Sequence, residues 1–292
     1  MGLRIGLATC AVLPEPDPDE APLRAALAAA GATVAMVPWD APAAQQPDPA
    51  GFDAIVLRAT WNYHLDPAAF DTWCAHISAR TRLLNPLEVV RWNMHKGYLL
   101  ELERAGAPIV PTEIVARGKG VSVESICARW GWGDIVIKPA ISAASYQTRR
   151  FAGAGRDAAQ AFLDEHLRAR DMMIQPYLPS VERDGGEASV MWIAGAVTHV
   201  VHKSARFSGA DEQVSAGRAP TPEEHALAER IIAAAPFDAA DLLYARVDLM
   251  RAEDGSLLLS ELELIEPSLF FPQHPAAVER LVSVLLGGRS RS

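Results

Sequence analysis

The sequence has no long apolar run: nothing in it approaches the roughly 18 consecutive apolar residues of a membrane-spanning helix. Its start runs straight into Leu3-Arg-Ile-Gly-Leu-Ala-Thr9, without the charged segment and apolar core of a signal peptide. The expectation is therefore a protein with neither leader nor membrane contact. Cysteine is scarce, with three residues at positions 10, 74 and 127, no CxxC pair and no metal-like spacing. That argues against a disulfide framework and suits a reducing cytoplasm. Positive charge is in deficit as well: 27 Lys and Arg against 36 Asp and Glu leave −9, with the basic residues scattered. A nucleic-acid surface is not expected from such a pattern. GxGxxG is absent too, so a dinucleotide site has no support.

What is present is ample core material, 50% hydrophobic over 292 residues, which by length alone suggests about two domains. The most informative stretch runs from Tyr244 to Ser268. Two apolar runs flank Asp254-Gly255, a pair that favours positive φ and hence a tight hairpin turn. With a two-residue turn Glu253 pairs with Ser256, which places Asp248 opposite Glu261 and Arg246 opposite Glu263. All four then share one face, because side chains two apart on a strand point the same way. A four-residue loop would leave the same grouping. Facing carboxylates repel, and Leu249, Leu262, Leu264, Ile265, Phe270 and Phe271 make the surroundings apolar, so a cation is expected there. Oxygen ligands with room for phosphates suit Mg²⁺, and the lack of nearby His or Cys disfavours zinc. The alternative at the hairpin alone is a solvated edge with Arg246 neutralising one acid.

The rest of the chain reads as α/β. A strand over 3–9, a helix from Glu20 to Ala30 closed by Gly31, and a strand over Thr33–Val37 follow βαβ grammar and imply a parallel sheet. A third strand, Phe52–Leu57, ends at Arg58-Ala-Thr-Trp-Asn-Tyr-His64. Ligands gather at the carboxyl ends of strands in open α/β sheets, which makes Arg58, Thr60, Trp61 and Asn62 candidates for substrate contact. For the aromatics, covering the core is an equal alternative.

A helix over Pro67–Ala79 and a strand over Arg82–Leu84 finish this unit, and Asn85-Pro86 breaks the chain. A helix over Asn93–Leu102 would carry Lys96 near its first turn. A cation there is unfavourable unless a bound phosphate accompanies it, the alternative being an exposed surface lysine. Lys138 ends a β-branched strand, Asp134–Pro139, where an ammonium needs a partner. The loop after it, Ala140-Ile-Ser-Ala-Ala-Ser-Tyr146, is built of small residues that let backbone N–H groups approach phosphate, although it has no glycine. Met172–Leu178 reads as an extended hinge with an apolar wall for adenine, in which Gln175 meets the amino edge and Glu182 the ribose hydroxyls. Strands over Ala188–Ile193 and Ala196–His202 turn at Ala194-Gly195. The polar loop from Lys203 to Arg218 reads as a mobile lid bearing Lys203, Arg206 and Arg218. Helices are expected over Pro222–Ala235 and Ala276–Leu286, and Gly287–Ser292 is expected to be disordered.

The succession Lys96, Lys138 with its small-residue loop, Gln175-Pro-Tyr-Leu-Pro-Ser-Val-Glu182, Ala245-Arg-Val-Asp248 and Glu261-Leu-Glu263 resembles the ATP-grasp ligases over nearly the whole chain. Asn85 through Lys96 is similar to bacterial glutathione synthetases, and the Ala-Arg-Val-Asp with acid-x-acid pattern to D-alanine–D-alanine ligases. The resemblance implies a pre-ATP-grasp, Rossmann-like N-terminal domain over 1–92, a central α+β lid subdomain over 93–178, and a C-terminal α+β subdomain over 179–292 with the metal site. It also implies that Lys96, Lys138, Ser142 and Ser145 hold ATP phosphates, and Gln175, Tyr177, Leu178 and Glu182 the adenosine. Asp248, Glu261 and Glu263 would hold two Mg²⁺, with Arg246 and Lys138 catalytic. Substrate would meet Arg58, Thr60, Asn62, Arg206, Arg218 and Ser268.

This chain departs from the family pattern twice: Glu263 stands where an Asn ligand is usual, and Ser142-Ala-Ala-Ser145 replaces the glycines of the phosphate loop. Among the subfamilies, Arg58-Ala-Thr-Trp-Asn-Tyr63 and Glu261-Leu-Glu-Leu-Ile-Glu-Pro-Ser268 resemble the ring-closing ligases of antibiotic biosynthesis that turn O-ureido-D-serine into cycloserine. The expected activity is thus ADP-forming ligation of a small amino-acid-like substrate through an acyl-phosphate. Rival readings are an intermolecular amino-acid or peptide ligase, a small-molecule kinase, or an ATP-binding module without turnover. ADP and phosphate appearing together, and only with an added amino acid, marks the ligase. The sequence leaves the oligomeric state open, a homo-oligomer included.

Overall fold

In the computed structural model, which describes residues 2–183, 186–204 and 213–287, three four-stranded sheets follow one another along the chain. The first is parallel, in the order β2-β1-β3-β4, from β1 (Arg4–Thr9), β2 (Thr33–Pro38), β3 (Ala54–Ala59) and β4 (Arg82–Leu84). Helix α1 (Glu20–Ala29) packs Leu23 and Leu27 against it, and α2 (Pro67–Ser78) buries Phe70, Trp73 and Ile77 on its other side. Those apolar residues recur at helical spacing, so each helix offers one stripe to the sheet. The Rossmann-like expectation holds.

Strand β3 begins and ends two residues later than expected. Arg58 is thereby inside the strand rather than beyond its end, and that shift changes its role, as described below.

Where a helix was predicted over Asn93–Leu102 there are two, α3 (Leu87–Met94) and α4 (Tyr98–Arg104), with His95 extended between them. Lys96 therefore sits in a break and not in a helical first turn. Its N–H bonds the carbonyl of Ala140, tying the break to the central sheet. The boundary expected at residue 92 falls inside α3.

The second sheet is antiparallel, β5-β8-β6-β7, from β5 (Glu113–Val115), β6 (Ile135–Pro139), β7 (Arg149–Phe151) and β8 (Met172–Pro176). Helices α5 (Val123–Trp130) and α6 (Arg156–Leu167) cover it. The third sheet runs β10-β9-β11-β12, from β9 (Glu187–Ile193), β10 (Ala196–Lys203), β11 (Tyr244–Arg251) and β12 (Leu257–Glu263), with α7 (Pro222–Ala234) against it. The last helix, α8 (Pro275–Gly287), returns to α1, so the chain's end shares a core with its beginning. Gly287 is helical, and the remainder of the segment expected to be disordered lies outside the described residues. Among the described residues no helix is long and apolar enough to cross a membrane.

Candidate active site

The hairpin of β11 and β12 pairs Arg246 with Glu263 and Asp248 with Glu261, as predicted, but by another route. Its turn is a three-residue loop over 253–255. Ala252 N–H bonds Ser256 O at 2.9 Å, Gly255 N–H bonds Ala252 O at 3.0 Å, and Gly255 takes φ +87°. Ser256 thus faces Ala252 and not Glu253. Such a loop alone shifts the register by one and would send the two acids of β12 to the opposite face. A bulge at Ser260 restores it: Leu259 pairs with Leu249, Glu261 with Asp248, and Ser260 is the extra residue. The Ser260 hydroxyl donates to the carboxylate of Glu187 and lies 3.0 Å from the Asp248 carbonyl.

The outer edge of β12 would be an open ladder, and side chains from the preceding helices close it. The amide of Asn93 bonds Leu262 O at 2.7 Å and Leu264 N–H at 2.8 Å, and the Tyr98 hydroxyl accepts from Leu262 N–H at 2.9 Å. Asn85 does the same at Tyr244 O, Leu264 O and Leu243 N–H. These clamps fix the strand that carries Glu261 and Glu263 relative to Lys96.

Into the cleft beside the hairpin converge Lys96, Lys138, Ser142, Ser145, Gln175, Tyr177, Leu178, Arg246, Asp248, Glu261, Glu263 and Ser268, twelve of the eighteen predicted site residues. Lys96 Nζ lies 2.6 Å from Glu261 and donates to Ser142 O at 2.9 Å. Burial lowers the pKa of this ammonium, but the Glu261 carboxylate outweighs it and the net shift is upward. Lys138 is partly buried, and its nearest carboxylate oxygen, on Glu261, is 3.9 Å away. Burial therefore prevails, with Lys96 adding repulsion, and the Lys138 pKa falls. A cation left this short of partners is matched to an incoming anion.

The loop after Lys138 has no glycine, yet Ala144, Ser145 and Gln147 all take positive φ, at 48°, 56° and 50°. L residues rarely accept that conformation, and such strain gathers where a ligand is gripped. Gln175 is lined up in the cleft but turned aside, its amide donating to Thr112 at 2.9 Å.

Asp248, expected as a metal ligand, has both oxygens occupied. One accepts from Ser189 at 2.6 Å and the other from Lys203 at 2.8 Å, while the Arg246 guanidinium reaches both. Although burial opposes ionisation, those two cations hold its pKa well below the usual carboxylate range. Glu261 and Glu263 differ, being about a quarter exposed to the cleft, with Arg246 paired to Glu263. Burial, with Arg246 opposing and Glu261 adding to it, sets the Glu263 pKa at about 7, whereas Lys96 and Lys138 pull that of Glu261 down against its burial. Among the described residues no three His, Cys, Asp or Glu side chains converge on one point. The donor set is two neighbouring carboxylates open to the cleft, oxygen only, which fits Mg²⁺ completed by water and phosphate oxygens.

Five of the six remaining predicted residues are elsewhere. Arg58 is buried against Asp19 at 3.2 Å because β3 extends through it. Thr60 is fully buried, and Asn62 bonds Asp40 and Trp39 at 2.6 Å within the first unit. Glu182 pairs with Arg150 at 3.0 Å on the surface. Arg218 is no lid arm: residues 213–218 run back along β10, and its guanidinium grips Glu224 at 2.6 Å. Arg206 lies outside the described residues.

Three cleft residues escaped the sequence reading as site residues. Lys203, assigned to the lid, is the buried end of β10 at 3.0 Å from Glu187, and Glu187 looked like an ordinary strand start. Glu266 lines the cleft, while its carbonyl accepts from the Trp61 indole at 3.0 Å. Only its place after an acid-x-acid pattern could have flagged it.

A profile of the family described as D-cycloserine synthetase DcsG, N-terminal domain, matches residues 5–85. The cycloserine biosynthesis protein DcsG of Streptomyces lavendulae is 31% identical over 283 residues, covering 92% of this chain and 93% of its own. The crystal structure of D-cycloserine synthetase DcsG superimposes with a TM-score of 0.87 at 29% identity, over 98% of this chain and 99% of that one. A RimK domain ATP-grasp protein from Sphaerobacter thermophilus DSM 20745 shares the fold, with a TM-score of 0.70 at 18% identity over 98% of this chain and 100% of its own.

Proposed function

The chain belongs to the DcsG family and is an ATP-dependent ligase with the ATP-grasp fold, and from that premise we propose that it closes O-ureido-D-serine to D-cycloserine. The observation that carries the reading is the cleft itself, where Lys96, Lys138 and Arg246 face Glu261 and Glu263 across the hairpin. Lys138 and the strained Ser142–Ser145 loop grip the triphosphate, Lys96 anchoring that loop through Ser142 O. Gln175, Tyr177 and Leu178 form the adenosine wall.

The substrate carboxylate attacks the γ-phosphorus, giving an acyl-phosphate and ADP. Arg246 neutralises the charge that grows on the phosphoryl oxygens, held in place by Asp248 beneath it. Glu261 and Glu263 are the residues that would hold Mg²⁺, two ions by the family pattern, whose chemistry is to draw charge from those same oxygens. The oxygen-bound nitrogen of the substrate then attacks the acyl carbon and expels phosphate. Both reacting groups belong to one molecule, so proximity replaces a second binding pocket. Cycloserine carries no carbamoyl group, so water must cleave the bond between the ring nitrogen and the carbamoyl carbon, the nitrogen keeping a proton and the group leaving as carbamate, which breaks down to carbon dioxide and ammonia.

Incubation with O-ureido-D-serine, ATP and Mg²⁺ should yield cycloserine with stoichiometric ADP and phosphate. ADP released only with a pair of separate amino acids, or with a peptide and an amine, would leave the ligase class standing and overturn the ring-closing assignment.

A further inference from the structure

Among the described residues three cations of the cleft already face a carboxylate closely: Lys96 faces Glu261, Lys203 faces Glu187 and Asp248, and Arg246 faces Asp248 and Glu263. Glu266 is the exception among the acids. It is 8% exposed and lines the same cleft, yet among the described residues nothing donates to its carboxyl group and no cation pairs with it. Its backbone is fixed from the other direction, by the Trp61 indole on its carbonyl. Burial first, and Glu263 second, push its pKa well up, with Lys96 and Arg246 acting against that. An uncompensated buried carboxyl is expensive, so a fold that keeps one facing a ligand cleft is complementary to a cation supplied by the ligand.

Resting on the ring-closing ligase reading, we propose that Glu266 is the receptor for the substrate's α-ammonium group, and so selects α-amino acids over carboxylic acids that lack the amine. The placement follows from the reaction. The reacting carboxylate must lie by Arg246, which lines the same cleft as Glu266. In an α-amino acid the ammonium is one carbon from that carboxylate, so a substrate seated for phosphorylation brings its positive end to Glu266. Ser268, two residues on and also in the cleft, offers a hydroxyl to the same end of the ligand.

The test compares O-ureido-D-serine with its desamino counterpart, 3-(ureidooxy)propanoate, by ADP release. The wild type should favour the amine at kcat/KM by about 100-fold or more, the scale of a desolvated charge pair. In Glu266→Gln the KM for O-ureido-D-serine should rise by about that factor while the desamino substrate and the KM for ATP stay unchanged. Glu266→Asp should keep part of the preference. Equal losses on both substrates, or a preference retained in Glu266→Gln, would overturn the proposal. If Glu266→Gln does not fold, the wild type decides, since indifference to the amine overturns it. Calorimetric binding of D-serine and 3-hydroxypropanoate to the wild-type and Glu266→Asp proteins with ADP and Mg²⁺ reads the same discrimination independently. A wild type inert toward O-ureido-D-serine would therefore count against the ring-closing reading, while calorimetry still decides Glu266.

Discussion

Two buried arginines, each against an aspartate, do different work in this molecule. Arg246 meets Asp248 at 2.9 Å, and Arg58 meets Asp19 at 3.2 Å. Arg246 lines the cleft and also reaches Glu263, while Arg58 lies over the rings of Tyr244 and Phe271 and never reaches the cleft. Asp19 explains the second case. Besides Arg58 it accepts the N–H groups of Leu269, Phe270 and Phe271, at 2.5, 3.2 and 2.7 Å. The pair staples the first sheet's helix to the segment after the hairpin, where Phe270 takes φ 54°. A buried arginine at a strand's end is thus not by itself a sign of function. What separates the two is whether its acid has spare neighbours facing open space.

The sharpest way to break this contrast is at the hairpin. Glu261→Gln keeps shape and removes charge, so turnover should fall about 1,000-fold or more in a folded protein, because metal-assisted charge stabilisation is worth several kcal/mol. Near-normal rates at saturating ATP and Mg²⁺ would make the hairpin as structural as the Arg58 pair. The reverse experiment is Asp19→Ala, which strands Arg58 and three N–H groups and should cost about 3–5 kcal/mol of stability. Denaturant titration measures that loss, and the folded fraction should retain its kcat. A selective fall in kcat without loss of stability would place Arg58 back among the functional groups.

Lys138→Ala tests the cation left short of partners. ATP affinity and kcat should each drop about tenfold, as expected of a contact made both before and during transfer, with little change in stability. An effect on stability alone concerns the staple from its other side. The ring of His199 donates from Nε2 to Leu269 O at 3.0 Å and stacks on His274 at 4.8 Å. Burial, then His274, lowers its pKa to about 4 from 6.5. The unfolded chain therefore binds the extra proton first as pH falls. Stability is fully present above about pH 6.5 and on the order of 2 kcal/mol of it is lost as pH falls toward 4. His199→Gln should flatten that part of the stability profile, and an unchanged slope would exclude this histidine as its source.

Local chemistry made much of this protein legible. Alternating and β-branched runs placed the strands within a residue or two, Ala194-Gly195 gave its turn, and the facing of Arg246, Asp248, Glu261 and Glu263 was readable from the period of a strand. Even there the correct face came through two errors that cancel, a three-residue turn and a bulge at Ser260, since neither turn length nor bulge is written in hydrophobic pattern. Tertiary structure alone decided which charges are spent. Asp19 and Arg58 lie 39 residues apart, Lys96 meets Glu261 across 165 positions, and Glu224 claims Arg218. A side chain's type and spacing fix which way it points on its own element. Whether it is neutralised within the fold or left facing a ligand depends on partners brought near by the packing of other elements, and no local pattern encodes that distance.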